Sequence, residues 1–152
     1  MKDSPDSAPE LRARALRLLA RREHSRAELA RKLAAHAESR EALEQLLDAL
    51  AAKKQLSDER YAEERTRQLA RKYGAARIRL DLISKGVAAD TAARLAAASG
   101  DADLERARAI LARKYRQPAT SAAERARRMR FLQGRGFGQA IIRRLLSSSE
   151  PE

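Results

Sequence analysis
Apolar residues recur at three- and four-residue intervals along most of this 152-residue chain, the spacing that places them on one face of an α-helix. Leu11, Ala15, Leu18 and Leu19 mark a first helix. Ser25-Arg26-Ala27-Glu28 reads as a capping box opening a second, with Leu29 and Leu33 on its buried stripe. Ser39 caps a third, carrying Leu43, Leu46, Leu47 and Leu50. Asp58 is expected to cap a fourth, with Tyr61, Ala62, Arg65 and Leu69, and Gly74 to end it in the left-handed conformation. Ile78 and Leu82 lie on a fifth closed by Gly86, and Thr91 and Leu95 on a sixth ended near Gly100. Leu104, Ala107 and Leu111 begin a seventh that stops before Pro118. Met129 and Leu132 lie on an eighth, closed by Gly134 or Gly136, and Ile141, Ile142, Leu145 and Leu146 on a ninth.

Short words repeat through this array. Leu19-Ala20-Arg21-Arg22 returns as Leu69-Ala70-Arg71-Lys72 and as Leu111-Ala112-Arg113-Lys114, followed in the last two by Tyr73 and Tyr115. Leu82…Lys85-Gly86-Val87…Leu95 returns fifty residues on as Leu132…Arg135-Gly136-Phe137…Leu145, with Leu33…His36-Ala37…Leu46 as a weaker first copy. The unit is a three-helix repeat used three times, over residues 11–56, 57–99 and 100–148, between disordered tails at 1–10 and 149–152. The longer gap from Leu111 to Leu132 lengthens either the second helix of the third repeat or the loop before it.

Composition agrees with an all-α fold. Ala, Glu, Lys, Leu and Arg supply 99 residues, whereas Val, Ile and Thr supply 9, too few for a sheet. Leu, Ile, Val and Phe are 28 residues, so the core is thin and Ala-rich, which fits an elongated array better than a thick bundle. No stretch of about 18 apolar residues spans a membrane. The absence of Cys suits a reducing compartment. With a polar, acidic N-terminus lacking a signal-type apolar run, the expected location is the cytoplasm.

Nothing in the chain assembles a catalytic site. The two histidines are His24, beside a helix cap where a surface or staple role is expected, and His36. There is no Cys nucleophile, no phosphate-loop motif and no metal-ligand spacing, so no cofactor or metal is expected and the protein is not read as an enzyme. The pairs Glu28–Lys32 and Glu63–Arg67 read as surface ion pairs at i,i+4.

Charge carries more information. The net +12 divides into a +16 body, residues 11–148, and acidic ends, and the third repeat is the most basic at +8. Arg outnumbers Lys by 26 to 7, and its forked guanidinium suits phosphate or carboxylate. Basic pairs at helix C-termini also favour the helix dipole, yet their recurrence in each repeat points to one shared basic face. Five aromatics, Tyr61, Tyr73, Tyr115, Phe131 and Phe137, are too few for a base-stacking platform. Tyr73 and Tyr115 are expected to pack at helix ends, and the two Phe to be core. Binding is therefore expected to be led by phosphate contacts.

The segment Ala15-Leu16…Arg22-Glu23-His24-Ser25-Arg26-Ala27-Glu28-Leu29…Lys32-Leu33 resembles the opening motif of the RecX family, regulators of the RecA recombinase. Leu56-Ser57-Asp58-Glu59-Arg60-Tyr61-Ala62 resembles its second motif. Arg71-Lys72-Tyr73-Gly74…Arg77-Ile78-Arg79…Leu82…Lys85-Gly86-Val87 resembles its third, and Phe131-Leu132…Arg135-Gly136-Phe137 its last. Two departures stand out: Lys54-Gln55-Leu56 where the family often has Gly-aromatic-Leu, and His36-Ala37 in place of basic-Gly. The resemblance implies an elongated, curved array of three three-helix repeats that binds along the RecA–DNA filament, and a monomer is expected. There it limits extension, recombinase, ATPase and co-protease activity, and some members also bind DNA. Motif position and charge together select Arg71, Lys72, Arg77, Arg79, Lys85, Arg127, Arg128, Arg130, Arg135, Arg143 and Arg144 as candidate contacts to RecA or to single- and double-stranded DNA. A general basic nucleic-acid-binding module without RecA specificity is the second reading.

Overall fold
A computed structural model describes residues 4–147, and among them the chain forms nine helices and no strand. They are α1 (Ala8–Arg21), α2 (Arg26–Leu33), α3 (Arg40–Ala52), α4 (Asp58–Leu69), α5 (Ala75–Ser84), α6 (Ala89–Gly100), α7 (Asp103–Lys114), α8 (Ala122–Gly134) and α9 (Gln139–Ser147). Their buried side chains fall into three separate clusters. The first runs from Leu11 to Leu56, including Leu29, Leu33, Leu47 and Leu50. The second is built on Tyr61, Ala62, Ile78, Leu82 and Val87, and the third on Ala107, Leu132, Phe137, Ile142 and Leu145. Three thin cores leave much surface: the chain exposes 10108 Å², whereas a compact monomer of this mass exposes about 7,700 Å². The molecule is therefore an extended array. The extra length of the third repeat lies in both places open to it: α8 is longer than α5, and the segment before it (115–121) is longer than that before α5 (70–74).

Several helix boundaries differ from the sequence expectation, each for a local reason. The first helix begins inside the segment read as a tail. Ser7 caps α1 in a full capping box with Glu10, and Asp6 pairs with Arg14 at 2.8 Å. The expected tail at 149–152 lies outside the described residues. Ser25 caps α2 through the Glu28 amide, but the Glu28 carboxylate is taken by Arg22 through two hydrogen bonds, so the box is half formed. Lys32, expected to pair with Glu28, instead donates to His24 Nε2 at 2.9 Å. Ser57, not Asp58, caps α4. Gly74 does not end α4 in a left-handed turn; at φ −86° it is the N-cap of α5. His24 is not a surface residue but is 1% exposed. Its Nδ1 lies 3.0 Å from the Arg22 carbonyl, and burial lowers its pKa. A ring protonated at Nδ1 alone satisfies both contacts and stays neutral beside the Lys32 ammonium.

One joint, used twice, connects the repeats. Asp58, the first residue of α4, accepts the amide of Arg26, the first residue of α2, at 2.7 Å. Asp103, the first residue of α7, accepts the amide of Ala75, the first residue of α5, at 3.0 Å. Each aspartate thus supplies an acceptor to an otherwise unpaired amide at a helix N-terminus in the preceding repeat. Beside it the Ser25 hydroxyl donates to the Lys85 carbonyl at 2.7 Å, and the Gly74 amide donates to the Arg135 carbonyl at 2.7 Å. Gly86 and Gly136 follow these carbonyls at φ +89° and +90°. A Cβ on Gly86 would collide with Ala27, and one on Gly136 would lie 2.5 Å from Arg77 Cβ. The basic-Gly words are therefore the receiving half of the joint. In the first repeat, where His36-Ala37 replaces them, the Asp6 amide donates to the His36 carbonyl at 2.8 Å, so the N-terminal segment closes that end of the array.

Candidate interface for a polyanion
Nine of the carboxylates among the described residues are held by particular arginines. Ion pairs engage Arg14, Arg22, Arg26, Arg60, Arg65, Arg94, Arg106 and Arg108. None of the eleven candidate contacts is in that set. In the third repeat Asp103 is held by Arg106 and Glu105 by Arg108, and Glu124 turns to Thr120. The other cations of that repeat make no ion pair among the described residues.

Seven of the cations without such an ion pair meet where the second repeat joins the third. The turn after α4, the end of α7 and the end of α8 with the residue after it line a cleft of about 380 Å³ with Arg71, Lys72, Tyr73, Arg113, Lys114 and Arg135, together with Phe131 and Ile110. No carboxylate lines it. Four of the seven cations stand against rings instead. Arg77 and Arg135 lie over Tyr73 at 4.1 and 5.5 Å. Lys114 and Arg135 lie over Phe131 at 4.3 and 5.2 Å, and Arg128 over Tyr115 at 4.5 Å. Tyr115 and Phe131 meet edge to face with centroids 6.0 Å apart. Backbone carbonyls complete the support: Arg77 donates to Gly134 at 2.8 Å, Arg128 to Gln117 at 2.8 Å and Arg135 to Lys72 at 3.3 Å. Ring faces and carbonyls order a guanidinium without cancelling its charge. The result is a held cluster of positive charge that can bind an anion without first breaking ion pairs.

The equivalent cleft at the first joint shows what distinguishes this one. It is lined by Arg22, Lys85 and Arg65, but also by Glu23, Glu28 and Glu64. Glu23 there follows the repeated basic word, in the place Tyr73 takes in the second repeat. Arg65 is held by Asp81, with two hydrogen bonds of 3.0 Å.

The eleven candidates consequently divide. Arg71, Lys72, Arg77, Arg128 and Arg135 belong to the cluster. Lys85 lies apart from it, half-buried in the mixed first cleft. Arg79 on α5, Arg127 and Arg130 on α8, and Arg143 and Arg144 on α9 are exposed, and no contact ties them to the cleft. Arg113 and Lys114 are cluster residues that motif position did not select, although the repeated Arg-Lys-Tyr word marked them: both copies of the word meet in this cleft. Tyr73, Tyr115 and Phe131 pack as expected for Tyr and less deeply than expected for Phe131, which is half-buried, whereas Phe137 is core.

Family models and relatives account for the architecture. Models described as the first, second and third three-helix domains of RecX match residues 12–50, 57–94 and 101–146. The chain is 45% identical to the regulatory protein RecX of Leptothrix cholodnii, over 93% of this chain and 90% of that one. It is 41% identical to that of Ralstonia nicotianae, over 92% and 88%. The crystal structure of RecX from Lactobacillus salivarius superposes with a TM-score of 0.82, covering 93% of this chain and 95% of that one at 20% identity. Three tandem domain matches in order, and relatives aligned over nearly their whole length, lead to one conclusion: this chain belongs to the RecX family of regulatory proteins.

Proposed function
We propose that this protein binds the RecA–DNA filament and regulates it, mainly by inhibiting filament extension and with it recombinase, ATPase and co-protease activity. Membership of the RecX family supports RecA as the partner. The acid-free cleft at the second joint is the observation that supports contact with a polyanionic assembly. The mechanism is non-covalent. An extended array with its free cations weighted toward one end lies along the filament and bridges neighbouring protomers and nearby phosphates. Many weak contacts add through effective concentration. A bridged end then resists addition of further protomers. In this reading the protein is a cytoplasmic monomer and a regulator rather than an enzyme. No helix of the described residues is long and apolar enough to cross a membrane.

The test is RecA ATPase on single-stranded DNA at increasing concentrations of this protein. A saturable fall is expected. A flat response, with equal affinity for bare and RecA-coated DNA, would sink the filament reading. It would leave the general nucleic-acid-binding module, which the phosphate-matched arginines of the cleft also favour.

A further inference from the structure
The side of α5 away from its core carries a surface that the cationic cleft does not use. Ile78 and Leu82 bury one face of this helix. On the other, Leu80 is 64% exposed and Ile83 37% exposed. Ala76, Leu80 and Ser84 follow one another at i,i+4 and form the wall of a groove of about 470 Å³. Its opposite wall is the end of α8 and the turn after it, Gln133, Gly134 and Gly136. Gly134 leaves that wall open: a Cβ placed there meets nothing within 4 Å.

The charges around the groove select the occupant. Asp81 reaches it, but its carboxylate is already engaged by Arg65 with two hydrogen bonds. Arg77 lines the groove and also stands over Tyr73, so one residue borders both the groove and the cleft. Arg79, next to Leu80, is exposed and makes no ion pair among the described residues. The surface is thus an apolar anchor with Arg77 in its wall, held without a carboxylate, and Arg79 beside Leu80 in sequence. A phosphodiester backbone offers nothing to bury against Leu80. A protein face that presents an apolar side chain next to carboxylates matches both parts.

We propose that the Leu80 groove docks the protein component of the filament, while the adjoining cleft of Arg71, Lys72, Arg113, Lys114 and Arg135 takes nucleic-acid phosphates. Protein and nucleic acid are then read by two neighbouring surfaces that meet at Arg77. This assignment rests on the filament reading above and locates its protein contact.

The experiment compares the wild type, Leu80→Gln and the double variant Arg113→Gln/Lys114→Gln. Each is titrated against bare single-stranded DNA and against the same strand coated with RecA. Leu80 is exposed on a helix and Gln is a good helix former, so unchanged helical circular dichroism is expected. Leu80→Gln is expected to weaken binding to coated DNA about tenfold, the scale of one lost apolar anchor, and to leave bare-strand binding unchanged. The double variant is expected to weaken binding to the bare strand. If Leu80→Gln binds coated DNA as the wild type does, or loses both affinities equally, the groove assignment is overturned while the filament reading stands. If the wild type itself shows no preference for the coated strand, both fall together.

Discussion
Lys54 is a side chain in a place that asks for none. It has φ 60° in the turn between α3 and α4, the only positive-φ non-glycine among the described residues. That conformation costs a residue with a Cβ about 1–2 kcal/mol. The glycine that the family resemblance places at this position therefore has a backbone explanation, and Lys54 carries local strain there. Replacing Lys54 with Gly removes the steric cost and adds some chain entropy. The expected outcome of Lys54→Gly is a stability gain of about 0.5–1 kcal/mol, visible as a higher urea midpoint with unchanged slope. A lower midpoint would show that the Lys54 side chain supports the turn. The motif resemblance drew attention to this residue, but the sign of its φ belongs to the folded turn.

Helices are the scale at which the sequence was most readable. All nine expected stripes lie on helices, because a 3.6-residue period is a local property and needs no knowledge of neighbours. Their ends were less legible, since a cap is chosen by competition. Asp58 has the chemistry of a cap, but Ser57 does the capping, and the aspartate reaches into the preceding repeat. Glu28 could close a box, but Arg22 outbids the Ser25 amide. Gly74 and Gly136 look alike in sequence and sit on opposite sides of one joint. The joint itself can be tested with a matched pair. Gly136→Ala places a Cβ 2.5 Å from Arg77 Cβ and 2.6 Å from its amide nitrogen, at φ +90°. It is expected to destabilise the chain by about 2–4 kcal/mol, from conformational strain and overpacking together. Gly134→Ala, two residues away in open space at the end of α8, is expected to be neutral or to stabilise by up to about 1 kcal/mol. Chemical denaturation of both variants checks the pair, and equal midpoints would show that the repeats are not held together at Gly136.

Across the whole molecule, net charge is a poor guide to where anything binds, because pairing decides which charges remain available. The first and second repeats spend Arg14, Arg22, Arg26, Arg60, Arg65 and Arg94 on carboxylates. The cleft between the second and third spends none. If its cations meet phosphates, Arg113→Gln/Lys114→Gln should lower the salt dependence of single-strand binding by about 1.4 in log–log slope, at about 0.7 per phosphate contact. The same exchange at Arg14 and Arg22, which already face Asp6 and Glu28, should leave the slope unchanged. Fluorescence anisotropy over a range of salt reads both. An equal loss of slope in the two variants would mean that total charge, not the cleft, governs binding.

Periodicity, the repeated words and the sparing use of β-branched residues were enough to establish an all-α chain of three-helix repeats, and the ordered motifs were enough to name its family. All of these are carried by neighbours in sequence. The folded array alone decided that Asp58 and Asp103 bind across repeats, that Arg-Lys-Tyr from 71–73 and 113–115 share one cleft, and that Glu23 takes the place of Tyr73 at the other. It also left Leu80 uncovered. Each of these depends on which groups come together across tens of residues, and so on which charges are cancelled and which faces are buried. A pattern read along the chain has no access to that pairing until the chain is folded.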